Sequence, residues 1–310
     1  MARRLEVSHT TISRALRDDL DISKSTREQV QKLAKEMGYR PDPMLSALAH
    51  YRRGRNTTPV AAELAWFNHW PNPRALRSFK EFDLYWKGAF DEAERCGFRL
   101  EEFTLKTGDL ERLGKILHAR NIRGILVPPH GEFAPDYRRF KWDEFCIVRF
   151  GHSIAFPHAH LVSSDQLTDG AIAFENMWRN GYRRIGLVTS LRMSTRFSAG
   201  FMFSQTKSNT DARLPALVLN QKRSDEDKSL LQAWLKANRP DAILTDVGEL
   251  RRLLSEIGFK VPQNIGLAAL SILDGNADAG INQNSYEIGR AAVQMLISLI
   301  NHNERGIPSI

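Results

Sequence analysis

The chain has 310 residues, 42% of them hydrophobic, which is ample for about two domains with their own cores. It contains no run of eighteen or more apolar residues, which excludes a membrane-spanning helix. Its two cysteines, Cys96 and Cys146, lie far apart and outside any Cys-x-x-Cys spacing, which argues against a disulfide framework or a structural zinc site. The net charge of +8 is unevenly spread: residues 1–55 hold 12 Lys/Arg against 7 Asp/Glu, while the remaining 255 residues carry only +3. A basic head on a nearly neutral body suits phosphate binding, although charge alone fits an ordinary solvated surface as well. Met1–Glu6 lacks the apolar core of a secretory signal, so a cytoplasmic, nucleoid-associated protein is expected.

In chain order, Ser8 is placed to cap a first helix, with Val7, Ile12, Ala15 and Leu16 on its apolar side. The acidic run Asp18–Asp21 interrupts it, and Ser23 caps a second helix whose Val30, Leu33, Ala34 and Met37 share one face. Gly38, Pro41 and Pro43 end that helix. Residues 43–50 predict one more short helix, and 51–59 a polar linker. From residue 60 strands and helices alternate. Strands are expected at Val60–Phe67, Arg99–Leu105, Gly124–Pro128, Phe145–Phe150, Arg184–Thr189, Ala216–Asn220, Ala242–Thr245 and Ile265–Leu270. Helices are expected at Asp83–Cys96, Asp109–Arg120, Asp169–Asn180, Asp225–Asn238, Leu250–Ile257 and Glu287–Asn301. The alternation predicts parallel sheets in two α/β lobes.

The segment Val7-Ser8-His9-Thr10-Thr11-Ile12-Ser13-Arg14-Ala15-Leu16 puts short hydrogen-bonding side chains on one helix face and apolar anchors on the other. It resembles the recognition helix of the lactose repressor family. The resemblance runs on through Ile22-Ser23-Lys24-Ser25-Thr26-Arg27-Glu28-Gln29-Val30 to Met37-Gly38-Tyr39-Arg40-Pro41. It implies that His9, Thr10 and Arg14 read base edges, and that Ser8, Thr11, Ser13 and Thr26 contact phosphates or set register. It also implies a hinge helix at about 43–50 whose Leu48 wedges into the minor groove. The family's first helix begins several residues before the position of Met1 here. With only Ala2–Leu5 and Glu6 ahead of the recognition helix, the head as written is expected to fold loosely and bind its specific site weakly.

Behind the linker, Gly88–Ala93, Gly181–Val188, Pro240–Ile243, Gly258–Pro262 and Ile288–Ala292 are similar to landmarks of the same family's effector domain, itself like periplasmic sugar-binding proteins. The fold expected is therefore a small all-α helix-turn-helix head (1–50), a linker (51–59) and a two-lobed periplasmic-binding-protein-like α/β body with parallel sheets (60–310). The effector would sit between the lobes at strand C-terminal ends, with Asn68, Trp70, Phe82, Tyr85, Arg196 and Asp246 as candidate contacts. The aromatics among them serve equally well as core or dimer interface. Ser271 stands where the family commonly has a ligand-binding aspartate, Arg196 is one residue farther from Gly200 than usual, and the helix after Asp246 is short. These departures argue against a familiar pentose or hexose. The family also continues past Pro308 into another strand, so an unpaired sheet edge is expected here.

The function implied is a homodimeric transcription regulator of repressor type, reading a near-palindromic operator under control of a small, carbohydrate-like effector. No cofactor or metal is expected: His158-Ala159-His160 lacks a third ligand nearby, and Cys146 sits inside an apolar run. An enzyme is not expected, because no GxxxxGK, GxSxG or HExxH motif occurs. The competing reading is a stand-alone solute-binding protein with a vestigial head.

Overall fold

The computed structural model describes residues 2–5, 7–16, 21–36, 62–104, 110–130, 137–154, 156–191, 195–208, 213–220 and 224–308. The expected hinge helix with Leu48, and the linker, lie outside the described residues. The head comprises α1 (Ala2–Leu5), α2 (His9–Leu16) and α3 (Lys24–Glu36). Ile12, Ala15 and Val30 are buried together, with Ala2, Leu5, Val7, Leu16 and Ile22 packed around them.

The first lobe is a parallel sheet of β1 (Ala62–Asn68), β2 (Phe98–Thr104), β3 (Gly124–Val127), β4 (Cys146–Phe150) and β5 (His160–Val162), in the order β2-β1-β3-β4-β5. It carries α4 (Pro73–Leu76), α5 (Lys80–Arg95) and α6 (Leu110–Ala119). The central strands are nearly continuous apolar runs because helices cover both faces. Leu64, Trp66, Leu126, Val148 and Phe150 face one core, and Ala65, Phe67, Ile125, Val127 and Ile147 the other.

The chain crosses at 163–165 into a second lobe. This holds α7 (Gln166–Arg179), β6 (Ile185–Ser190), α8 (Thr195–Ser208), β7 (Leu217–Leu219), α9 (Ser224–Asn238), β8 (Ala242–Thr245), α10 (Leu250–Glu256), β9 (Gly266–Ala269) and β10 (Ala279–Gly280). Its strand order, β10-β9-β8-β6-β7, repeats that of the first lobe, and every pairing is parallel. Residues 281–284 lead back, and α11 (Ser285–His302) packs on α5 and β4 of the first lobe.

Most expected elements stand within three residues of their sequence bounds. Two helices start three residues early for physical reasons. The helix expected from Asp169 starts at Gln166, because Asp165 caps it by accepting from Thr168 N (3.2 Å). The helix expected from Asp83 starts at Lys80, capped from the other lobe as described below. The helix Thr195–Ser208 and the short strands His160–Val162 and Ala279–Gly280 are additions to the expected set.

Each lobe is pinned by a close helix crossing at glycine. A Cβ on Gly88 would lie 1.9 Å from Tyr286 O, and one on Gly289 2.3 Å from Tyr85 O, where α5 crosses α11. In the second lobe Gly200 would meet Leu167 O at 1.9 Å and Gly170 would meet Phe197 O at 2.2 Å, where α7 crosses α8. Backbone carbonyls cannot rotate away, so Gly88→Ala forces the helices apart. We expect it to cost about 1–3 kcal/mol or more in urea unfolding. Gly114→Ala, whose Cβ would meet only Phe140 at 3.9 Å, should instead be neutral or gain up to about 1 kcal/mol from helix propensity. Equal effects at the two sites would contradict the close-crossing argument.

Candidate functional site

Two places in the molecule carry side chains whose arrangement points outward to a ligand. The first is the helical head. Ser8 Oγ accepts from Thr11 N (3.0 Å) and Ser23 Oγ from Thr26 N (3.3 Å), so both serines are the N-caps their positions suggest. Neither α2 nor α3 has an acidic residue in its first turn, leaving the positive ends of both helix dipoles uncompensated. His9 is exposed and Thr11 half-buried, while Ile12 and Ala15 turn inward. Thr10 and Ser13 lie on α2 between them. Arg14 is 37% exposed and donates to Asp21, an ion pair that aligns its guanidinium at the rim of the helix.

The second place is the cleft between the lobes. In an open parallel sheet a ligand crevice forms where strand order reverses, beyond the strand C-terminal ends. Here the reversals lie between β1 and β3 and between β6 and β8. Beyond β1 and β3 come His69, Trp70 and His130. The His69 and His130 rings are 5.9 Å apart. Burial and the neighbouring His130 hold the His69 pKa down at about 4.

The structure distributes the sequence candidates unevenly. Trp70 donates its Nε1 to Pro129 O (2.8 Å), which fixes its ring at this crevice. It begins a run of rings, Trp70–Phe79–Phe82–Tyr85–Phe150, each with its centroid 5.2–5.9 Å from the next. Within the run Phe79 is exposed, while Tyr85 and Phe150 are buried. Asn68 is fully buried, its amide donating to Glu102 Oε1 (2.7 Å) and Pro73 O (2.9 Å) and its Oδ1 accepting from Trp70 N. It therefore shapes the turn that presents Trp70. Asp246 accepts from Ser190 N (2.8 Å) and Ser190 Oγ, bridging the β6–β8 reversal in the second lobe. Arg196 stands in the first turn of α8 and is exposed.

Sequence reasoning missed the groups that join the lobes. The N-cap position of α5, Phe79, offers no side-chain acceptor. Asp274, from the loop after β9, supplies one instead: its two oxygens accept from Lys80 N (2.8 Å) and Glu81 N (3.0 Å). Glu81 is buried and accepts from both Ser271 and Ser285. Burial raises its pKa, against the lowering effect of the two hydroxyls. Ser271 thus donates to a first-lobe carboxylate.

Among the described residues no group of three or more His, Cys, Asp or Glu is arranged to hold a metal, and no helix is long and apolar enough to cross a membrane. Cys146 is buried in the first lobe's core, its thiol pushed up to about 11 by desolvation.

Comparison with known proteins places both sites in context. Residues 1–42 match the family described as bacterial regulatory proteins, lacI family, and residues 174–310 match the periplasmic binding protein-like domain. The HTH-type transcriptional regulator MalR of Streptococcus pneumoniae is 21% identical, over 98% of this chain and 92% of that protein. Among solved structures, the transcriptional regulator CelR in complex with cellobiose superposes with a TM-score of 0.61 at 20% identity, covering 98% of this chain and 93% of that one. The lac repressor dimer bound to operator and an anti-inducer superposes at 0.55 and 16% identity, covering 98% and 93%.

The His69 environment makes a pH prediction. Its folded-state pKa of about 4 lies below the 6.5 of a free imidazole, so the unfolded chain takes up the proton first as pH falls. Stability is then lost between pH 6.5 and 4, by up to about 3 kcal/mol if the whole shift is expressed. Urea unfolding of His69→Gln across that window should show a shallower loss than the unaltered protein. Parallel curves would mean that His69 is protonated at no cost.

Proposed function

We propose that the chain is a regulator of the lacI type, acting as a homodimeric repressor, its two heads reading a near-palindromic operator and its lobes binding a small effector. It is a DNA-binding transcriptional regulator with an effector-binding domain. The observation that carries the reading is the pairing, in one chain, of a capped helix pair with a polar outer face and a two-lobed cleft bounded by two strand-order reversals. A stand-alone solute-binding protein needs the second but not the first.

In this reading the head occupies residues 1–50, the linker 51–59 and the body 60–310. His9, Thr10 and Arg14 read bases. Ser8, Thr11, Ser13 and Thr26 approach phosphates, assisted by the uncompensated N-termini of α2 and α3. Leu48 wedges a central base step from the hinge helix. The cleft takes a carbohydrate-like effector, as the fold does in the cellobiose complex. The protein works in the cytoplasm at the nucleoid, and catalyses no reaction.

Footprinting of the full chain on genomic fragments tests the reading, with sedimentation of the complex reporting the dimer. A protected near-palindrome is expected; absence of any protected fragment would favour the solute-binding alternative. On the operator so found, Arg14→Ala should cost about 1–3 kcal/mol of specific binding and relax preference at one symmetric base pair. Uniform weakening on all sequences would reassign Arg14 to phosphate. In the same assay Leu48→Ala should reduce DNA bending and specific affinity while sparing non-specific binding.

A further inference from the structure

Away from both the head and the inter-lobe cleft, we propose that the second lobe binds a small aromatic carboxylate in a hollow between the C-terminal halves of α7 and α8. The two helices are closest at Gly170 and Gly200, where backbone lies against backbone. Beyond that crossing a hollow of about 170 Å³ opens between them, reached from solvent on one side. An apolar cavity of about 150 Å³ is large enough to hold benzene, so a single ring fits. The hollow lies at the end of α7 remote from the crossover at 163–165, and so apart from the cleft.

Its two walls differ in chemistry. Phe174 and Trp178, one turn apart on α7, stack with centroids 6.1 Å apart and planes at 21°, and form the apolar wall. Phe201 meets Phe174 edge-on at 5.2 Å, and the Arg183 guanidinium lies 4.5 Å from the Trp178 ring centroid, which together fix both rings. The facing wall, from α8, carries Ser204 and Lys207. Ser204 is only 6% exposed, and its hydroxyl has no hydrogen-bond partner among the described residues. A hydroxyl held away from bulk water without a partner is costly, and this one borders the hollow, where a ligand acceptor would satisfy it. Lys207 makes no ion pair among the described residues, and its ammonium rests 4.6 Å from the Phe203 ring centroid.

The charges at the rim select an anion. Two helix C-termini and Glu175 bring negative potential, each helix end counting as about half a charge. Arg179, Arg183 and Lys207 outnumber them. Glu175 holds Arg179 only loosely, at 3.9 Å with both side chains exposed. A ligand that packs its ring against Phe174 and Trp178 and sets its carboxylate between Ser204 and Lys207 uses both uncommitted donors. A neutral ring leaves the ammonium unused, and an aliphatic acid leaves the aromatic wall wet.

The test is thermal shift and calorimetric titration of the full-length protein with benzoate, salicylate and indole-3-acetate, against benzamide, indole and acetate. At least one aromatic acid should bind once per chain, about tenfold tighter than its neutral ring and than acetate, and weaken with added salt. Lys207→Gln, at an exposed position, and Ser204→Ala, which suits a helix, should each lower its affinity by about fivefold or more without loss of folding. Glu175→Gln should raise it, because that change removes a carboxylate from the rim and releases Arg179. Binding of no aromatic acid at millimolar concentration overturns the proposal. So does binding unchanged in both Lys207→Gln and Ser204→Ala, which places the ligand elsewhere, or a neutral ring binding as tightly as its acid. None of these outcomes bears on the reading of the inter-lobe cleft.

Discussion

The first turn of α5 has no acceptor of its own, and the protein satisfies it from the other lobe. A helix N-terminus leaves four N–H groups without intrahelical partners. Two of them, on Lys80 and Glu81, are met by Asp274. The same helix carries Phe82 and Tyr85 and crosses α11 at Gly88 and Gly289. Asp274 and the Ser271–Glu81 bond thus tie the second lobe to the start of α5, the helix that carries part of the aromatic run. Losing such a cap costs only about 0.5–2 kcal/mol, and an opened cleft would let water replace it. The glycine crossings inside each lobe bury backbone against backbone and cannot part so cheaply. The result is two stiff bodies joined by a few directional hydrogen bonds, which is a physical basis for a hinge.

The two lobes were largely legible in the sequence because buried parallel strands are short, uniform apolar runs. Gly124–Val127 and Ala242–Thr245 are such runs and stand where they were expected. The elements that escaped lack that signal. In Thr195–Ser208, Phe197 and Phe201 are buried while Met202 and Phe203 are exposed, so apolar residues surround the helix and no clean stripe emerges. His160–Val162 is three half-buried residues, too short to show a period. The site was less legible than the fold. Asn68 has the chemistry of a ligand contact but spends it on Glu102, thirty-four residues away. The Asp274 cap joins residues 193 and 194 positions apart. No local pattern announces either pairing.

In the head, legibility came from capping. Ser8 and Ser23 are readable because an N-cap is a local event, three residues from the amide it satisfies. The Arg14–Asp21 pair is a different matter, since it crosses the turn between α2 and α3. Asp21 is largely exposed, so the pair is worth at most about 1 kcal/mol. A bidentate contact to guanine is worth about 1–3 kcal/mol. In the proposed reading the balance lies with DNA, because the Asp21 pair is the weaker of the two contacts.

Communication between cleft and head follows from the same energetics. A ligand shifts a conformational equilibrium only by the difference in its affinity for the two states. A group bound wholly by one lobe has no such difference, however tightly it is held. A ligand held by groups of both lobes is bound by both only when the lobes approach. Its binding energy is thereby spent on closure. Couplings of about 1–3 kcal/mol are typical of allosteric proteins, the same order as the Asp274 cap. In the proposed regulator, linkage requires the operator to alter effector affinity by the factor with which the effector alters operator affinity.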